Sequence, residues 1–263
     1  MKNRYEQIIE NVFFSHYKAG TASFEFERRE IEQQARKLKI RLPKNLGDLI
    51  YSFRYRIALP ESVRKTATRG KEWLILPSGR ACYRFALCAK SDIHPNQMLS
   101  ETKIPEATPG IISMYALDDE QALLAKVRYN RLIDIFTRVT CYSLQSHLRT
   151  FVSEVGQVET DEVYIGVDRG GVHYVFPVQA KGGKDRLSIV QVKQDVGVCR
   201  QKFPGLVCRP IGAQFAADKT IVLFEFVEEG EEVKIAAEKH YRLVSPDNLT
   251  TAELEKYRKT DEQ

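Results

Sequence analysis

No stretch of this chain approaches the run of about 18 apolar residues that a membrane span needs, so no membrane partner is expected. The N-terminus, MKNRYEQIIENVFF, is charged and amphipathic and lacks the apolar core and small-residue cleavage site of a secretory signal. Cysteine is sparse and odd in number: Cys82, Cys88, Cys141, Cys199 and Cys208 show no C-x-x-C spacing, which argues against a zinc site or a disulfide framework. The expectation is a set of reduced core thiols in a cytoplasmic protein. The five histidines, His16, His94, His147, His173 and His240, are scattered, and each reads as a surface or core residue. There is no G-x-x-x-x-G-K-[ST] phosphate loop, no G-x-S-x-G elbow and no H-E-x-x-H helix, so several common nucleotide, acyl-transfer and metalloprotease chemistries have no foothold.

What is present is an ordinary globular balance, 43% hydrophobic and 29% charged over 263 residues, enough for one large or two modest domains. The net charge of +5 conceals an asymmetry. Through Lys90 there are 19 Lys and Arg against 9 Asp and Glu, a net of +10, while the remainder carries 21 against 26, a net of −5. A basic first third joined to a mildly acidic remainder points to an anion-binding module attached to something else, with nucleic acid the leading anion. A basic face is also what plain solvation produces.

Val158 to Gly183, VETDEVYIGVDRGGVHYVFPVQAKGG, reads as a β-hairpin. Two runs rich in Val, Ile, Tyr and Phe flank Asp168-Arg169-Gly170-Gly171, where glycine supplies the positive φ of a tight reversal. The first strand carries Glu159, Asp161 and Glu162. The second ends in Gln179-Ala180-Lys181, with Gln179 and Lys181 on one face because strand side chains alternate. Folding about the turn brings Asp161 close to Gln179. Gly182-Gly183 then breaks the strand, Asp185 can cap a helix, and Ile189, Val192, Val196, Cys199 and Phe203 make one apolar helical stripe. Leu206 to Ile211 reads as a further strand. Polar residues at a strand end are an ordinary structural feature as well as a site.

Hairpin, helix and strand in this order, with Asp161 and Gln179-Ala180-Lys181 across the hairpin, resemble the PD-(D/E)xK, or restriction-endonuclease-like, nuclease superfamily. Thr160-Asp161 stands where Pro-Asp usually stands. Gln179 is neutral where the family has a carboxylate, and this Q-x-K form is similar to that of the end-cleaving nucleases of some heteromeric transposases. The resemblance implies a mixed β-sheet flanked by helices, with Asp161 as principal metal ligand and the Ala180 carbonyl as a second. It implies a weak ligand position at Gln179, since an amide oxygen binds a hard cation less well than a carboxylate. Lys181 would orient the attacking water or stabilise charge on the phosphate. Glu159 and Glu162 are neighbouring acids whose facing depends on register, with Glu159 sharing Asp161's side in a regular strand. Glu120 and Asp134 on a preceding helix, and Glu154, are further acids within reach. Magnesium is the implied metal.

Upstream, helices are expected from about Tyr5 to Tyr17, from Glu27 to Lys39, and from Asn45, which can cap a stripe of Leu46, Leu49, Ile50 and Phe53. The outer face of the third helix offers Lys44, Tyr51, Arg54, Tyr55 and Arg56. Two short strands, Trp73 to Leu76 and Ala81 to Leu87, flank a turn at Pro77-Ser78-Gly79-Arg80. Three helices and a hairpin over residues 1–90 resemble a winged helix-turn-helix domain. That resemblance implies DNA contacts from Lys44, Tyr51, Arg54 and Arg56 and a phosphate contact from Arg80; winged helices also dock proteins. Residues 91–110, with three prolines and little apolar periodicity, are the expected linker, and 111–263 the nuclease-like domain. A long helix is expected from Asp118 to about Arg138, a strand over Leu148 to Val155, a buried strand over Thr220 to Val227 and a weaker one over Val233 to Ala237.

The expected fold class is therefore α+β or α/β, a winged helix followed by a restriction-endonuclease-like core. The expected function is that of a magnesium-dependent, restriction-type endonuclease acting on double-stranded DNA, as a homodimer because two strands need two sites. A non-catalytic DNA-binding regulator on the same core is the alternative from another class, and a repair or mobile-element nuclease the alternative within this one.

Overall fold

A computed structural model of the chain describes residues 4–55, 57–89, 93–116, 120–153, 155–182, 187–216, 218–230 and 232–261. Arg56, Asp118, Glu154 and Asp185 lie outside them.

The first ninety residues bury an aromatic core. Helix α1 (Arg4–His16) turns Ile8, Ile9, Val12 and Phe13 inward, one apolar stripe of a two-faced helix. Around it run β1 (Ser23–Glu27), α2 (Arg28–Lys37), α3 (Leu46–Tyr55), the single turn α4 (Glu61–Arg64), β2 (Lys71–Pro77) and β3 (Cys82–Ala89). The Phe13 ring meets those of Trp73 and Phe85 edge-on, with centroids 5.1 Å away in each case. Helix α2 opens on a capping box in which the Glu27 N–H donates to Glu30 Oε1 at 2.8 Å. Asn45 caps α3 by accepting the Gly47 N–H at 3.0 Å. Strand β1 is absent from the sequence reading, which passes from Gly20 straight to a helix. It pairs antiparallel with β3 and completes a three-stranded sheet in the order β1-β3-β2.

The rest of the chain builds one large mixed sheet from β4 (Glu101–Pro105), β5 (Thr140–Val152), β6 (Gly156–Val167), β7 (His173–Lys181), β8 (Val207–Cys208), β9 (Ile211–Phe215), β10 (Ile221–Glu229) and β11 (Glu232–Val244). Its order is β4-β11-β10-β9-β7-β6-β5, with β8 also against β7. Strands β5, β6 and β7 are an antiparallel meander; helix α8 (Ile189–Lys202) then carries the chain to β9, which runs parallel to β7. Both faces are covered. Leu123, Leu124 and Val127 of α6 (Glu120–Tyr129) and Leu132 and Ile133 of α7 (Leu132–Thr137) pack on Phe176, Val178, Ile221 and Leu223. On the other face α8 meets Val222 and Phe224 through Ile189 and Val192, and Val163 and Val175 through Cys199. A strand apolar at every position is what two covered faces demand, and Ile221 to Phe224 is such a strand. Short α5 (Gly110–Tyr115) and terminal α9 (Thr251–Asp261) complete the described elements, none of which is a helix long and apolar enough to cross a membrane.

Several boundaries differ from the sequence reading. The stretch 91–110 is not structureless, because Glu101–Pro105 adds a parallel edge strand to β11. The expected long helix breaks into α6 and α7. Arg131 adopts a left-handed φ of 49°, and the buried Asn130 side chain turns back to accept the Ala107 N–H at 2.7 Å and donate to Thr108 Oγ1 at 2.9 Å. The first core strand begins at Thr140 rather than Leu148. Helix α8 is capped by Ser188, whose Oγ accepts the Val190 N–H at 3.2 Å.

The two sheets are joined by packing. Leu76, Ala86 and Cys88 of the small sheet form one apolar cluster with Val190 at the start of α8. That contact sets one wall of the cleft described below.

Gly166 in β6 has no room for a side chain: an added Cβ would lie 2.7 Å from Val139 Cγ1, 2.9 Å from a Phe176 ring carbon and 3.0 Å from Cys141 Sγ. The β-branched valine cannot turn away, so Gly166→Ala is expected to overpack the α6–α7 face and cost about 1–3 kcal/mol. Chemical denaturation checks this; a variant as stable as the parent would show that the face can open without loss.

Candidate active site

The hairpin forms in the expected register and then parts. Strands β6 and β7 pair from Val167↔His173 to Glu162↔Val178 and no further. On the other side of β6, the register with β5 passes from Ser146↔Glu162 to Leu148↔Thr160, and His147 between them takes a left-handed φ of 50°. Asp161 therefore sits just past the end of the β6–β7 pairing, opposite His147 in an otherwise unshifted β5–β6 ladder, and its Oδ2 accepts the Ala180 N–H at 2.8 Å. A left-handed non-glycine residue is costly and tends to mark a site held by its surroundings.

Lys181, one residue beyond Ala180, donates from Nζ to Glu120 Oε1 at 2.9 Å. Glu120 opens α6, so the N-terminus of that helix brings a second carboxylate to the end of the hairpin. Burial pushes the Asp161 carboxyl above its ordinary value; the Ala180 N–H and Lys181 oppose this, and the Glu120 charge adds to it. Two acids and a lysine thus share one recess.

Gln179 lines the same cleft. It is buried, and its Nε2 lies 3.1 and 3.0 Å from the two carboxylate oxygens of Asp195 and 3.2 Å from the Glu159 carbonyl. Its Oε1 accepts from Gln191 Nε2 at 3.1 Å. Asp195, on α8, also accepts the Thr160 hydroxyl at 2.6 Å. The amide is thus engaged at both ends, by Asp195 and by Gln191. A neutral donor is what the position needs, because a carboxylate there would confront a second buried carboxylate.

The other sequence candidates divide. Glu159 shares the cleft with Asp161 but is engaged at its rim, accepting from Arg149 Nη2 at 3.0 Å. Glu162 does not join them. It is fully buried on the α6 side, bound by Arg128 Nε at 2.8 Å and by the Ser143 hydroxyl at 2.6 Å, so it serves the fold. Asp134 also serves the fold, accepting the Cys141 N–H at 2.9 Å and pairing with Arg131. Ala180 is buried beside Asp161. Tyr51, Arg54 and Arg80 line the same cleft as Asp161 and Lys181, whereas Lys44 is exposed outside that lining. The cleft measures about 690 Å³ and runs between α3 with the β2–β3 turn on one side and the ends of β5, β6 and β7 on the other. Among the described residues no group of three or more His, Cys, Asp and Glu side chains converges as a metal cage.

The sequence reading gave no role to Asp195 or Gln191, took Thr160 only as the residue in the place of the family's proline, and read His147 as a surface or core residue. Asp195 had a signal: it lies three residues after Val192 and four before Cys199, an acid on the buried stripe of α8.

Two outcomes follow from the Gln179–Asp195 contact. Gln179→Glu should place two carboxylates in contact and cost about 3 kcal/mol at pH 8, and Asp195→Asn in the same chain should restore most of it by returning a donor to the pair. Equal stability of Gln179→Glu and parent in urea would show the amide is not held there. The second outcome concerns pH. Burial pushes the Asp195 carboxyl up to about 7, against the pull of Thr160 and Gln179 and with the Asp161 charge adding to the rise. The folded chain then keeps a proton that the unfolded chain has released, so the contribution is greatest below the ordinary carboxylate value and is lost as pH rises to about 7. Relative to Asp195→Asn, the parent should lose stability between about pH 4 and 7 and run level above it. Parallel profiles of the two proteins across that window would rule it out.

Scans against protein-family models, curated proteins and solved structures find no match to this chain, and the geometry of the cleft is what bears on its function.

Proposed function

We propose that the chain hydrolyses phosphodiester bonds of DNA in the cleft between its two sheets, with a divalent cation. The observation that carries this is the meeting of Asp161, Lys181 and Glu120 where β6 and β7 part, across the cleft from a basic helical unit. The order of helices over residues 4–55 and the hairpin β2–β3, now joined by β1, support the winged-helix resemblance of that unit.

The donor set suits magnesium. Hard oxygen donors are what it takes, and it binds through one or two carboxylates while keeping several waters. Burial, with the Glu120 charge adding to it, raises the Asp161 carboxyl above its ordinary value, and a cation held between the two acids would offset both effects. Asp161, Glu120 and the Ala180 carbonyl are the groups that would hold the ion, which when bound supplies charge neutralisation and an activated water. Lys181 holds its ammonium against Glu120, at 14% side-chain exposure, in position to face a phosphate oxygen as charge builds on it. The Ala180 N–H fixes one oxygen of Asp161, leaving Oδ1 as the free ligand oxygen. The Gln179 network holds the end of β7, and with it Lys181, against α8 and β6. Gln179 is a positioning residue in this scheme, and Glu159 with Arg149 belongs to the rim.

Asp161→Ala and Lys181→Ala should each lower magnesium-dependent cleavage by about a hundred-fold or more, and the double variant little further, because both act on one step. Each should melt close to the parent, since neither side chain fills the core. Glu162→Ala should instead lower stability by stranding Arg128. Plasmid and oligonucleotide substrates, single-stranded and duplex, read by gel with and without magnesium, make the measurement. Cleavage at the parental rate by both Asp161→Ala and Lys181→Ala would leave a DNA-binding protein without this chemistry.

A further inference from the structure

Resting on that nucleic-acid reading, we infer that the cleft takes a single strand, not the intact duplex that a recognition helix would suggest. Helix α3 is the first reason. A helix that reads a duplex must project freely into a major groove. Here Gly47, Asp48, Tyr51 and Arg54 of α3 face inward and line the cleft together with Asp161 and Lys181. The small sheet is held against α8 by the apolar cluster of Leu76, Ala86, Cys88 and Val190, so this wall is fixed by packing. Size is the second reason. A cleft of about 690 Å³ closed by α3 with the β2–β3 turn on one side and the ends of β5, β6 and β7 on the other is an easier fit for an unpaired strand, which is slimmer than a duplex.

The lining is the third reason. Tyr51 and Phe151 both line the cleft and are 48% and 53% exposed. Arg80 at the β2–β3 turn and Arg149 on β5 stand in the same lining, on opposite walls. Exposed rings interleaved with cations form the pattern that holds an unpaired strand: bases stack on the rings, and phosphates meet the guanidinium groups. The cleft does not end at the site. A second cavity of about 890 Å³, lined by Arg84, Lys193 and Arg200 among others, shares Pro77, Gly79, Val155 and Gln194 with the first. Glu25 and Glu228 also line it, Glu228 paired with Arg200, so a strand leaving Asp161 past the β2–β3 turn meets Arg84 and Lys193 there. Stacking and phosphate contacts of this kind read no base edge, so the strand is held with little sequence preference.

The test is fluorescence anisotropy of the full chain in EDTA, where no cleavage occurs, with three labelled probes: a 20-nucleotide oligo-dT, the matching oligo-U and a 20-base-pair duplex. One of the single strands should bind at least about ten-fold more tightly than the duplex, and whichever binds better names DNA or RNA as the source. Phe151→Ala and Tyr51→Ala should each weaken the single strand by about five-fold or more, with Phe151→Trp retaining parental affinity because it keeps a stacking ring. Both rings are half in water, and thermal melting of each variant verifies its fold. A duplex bound as tightly as either single strand, or ring-deleted variants that bind the single strand like the parent, would overturn the inference. Because the assay excludes metal, loss of the nuclease reading does not touch it, and its own failure leaves cleavage of a differently bound substrate open.

Discussion

The contact between Gln179 and Asp195 is the constraint on which the arrangement of the site depends. A carboxylate buried in α8 needs donors, and it finds them in the Gln179 amide and the Thr160 hydroxyl. That ties three elements at one point: the end of β7, the first half of β6 and the inner face of α8. Leaving such a buried acceptor unpaired costs more than the hydrogen bond gains, so the three cannot separate cheaply. With β7 anchored through Gln179, the next residues along the strand have little freedom. Ala180 turns its N–H to Asp161, and Lys181 emerges on the far side to meet Glu120. The neutral residue in the Gln179-Ala180-Lys181 triplet is the donor half of a buried pair.

The same anchoring explains why Asp161 is exposed to chemistry while its neighbours are not. Regular pairing on both sides would bury a strand residue between two ladders. At Asp161 pairing with β7 has stopped, and left-handed His147 stands opposite it in β5. Along β6 Glu162 turns to Arg128 beneath α6, Thr160 to Asp195 of α8, and Glu159 to the cleft side. One register determines both a structural ion pair and a candidate site.

Much of this was legible in the chain, and the parts that were not have physical reasons. The hairpin announced itself through glycine in its turn and β-branched residues in its arms, and Ile221 to Phe224 through an unbroken apolar run. Strand β1 was hidden because Ser23–Glu27 is only five residues long and abuts a helix whose capping box begins at its last residue. Strand β4 was hidden because an edge strand with parallel pairing on one side needs little apolar content, and Glu101–Pro105 has only Ile104 to offer. The break between α6 and α7 leaves the apolar periodicity of Leu123 to Phe136 undisturbed; it comes from what Asn130 does with the backbone at Ala107, a partner remote in sequence. Glu120 could be named but not ranked over Asp134, since both lie on the same stretch of helical pattern. The distinction arises only when the helix breaks and Asp134 turns to Cys141.

The charge asymmetry of the chain acquires a meaning in the cleft. A site that holds a cation needs carboxylates, and Asp161, Glu120 and the nearby Glu159 present a potential that repels a phosphate backbone. The attraction has to come from outside the site. It comes from the opposite wall and the rim, where Arg54, Arg80 and Arg149 line the same space. Fields from two walls with little water between them add over distances shorter than the screening length of about 8–10 Å, so a cleft can be negative at its floor and still draw in a polyanion at its mouth. Packing the small sheet on α8 through Val190 sets the basic unit against the cleft that the acids line. On the proposed reading, detaching the two units would leave each charge set in place yet take the cleft apart, so the apolar contact between the sheets would matter to function as the carboxylates do.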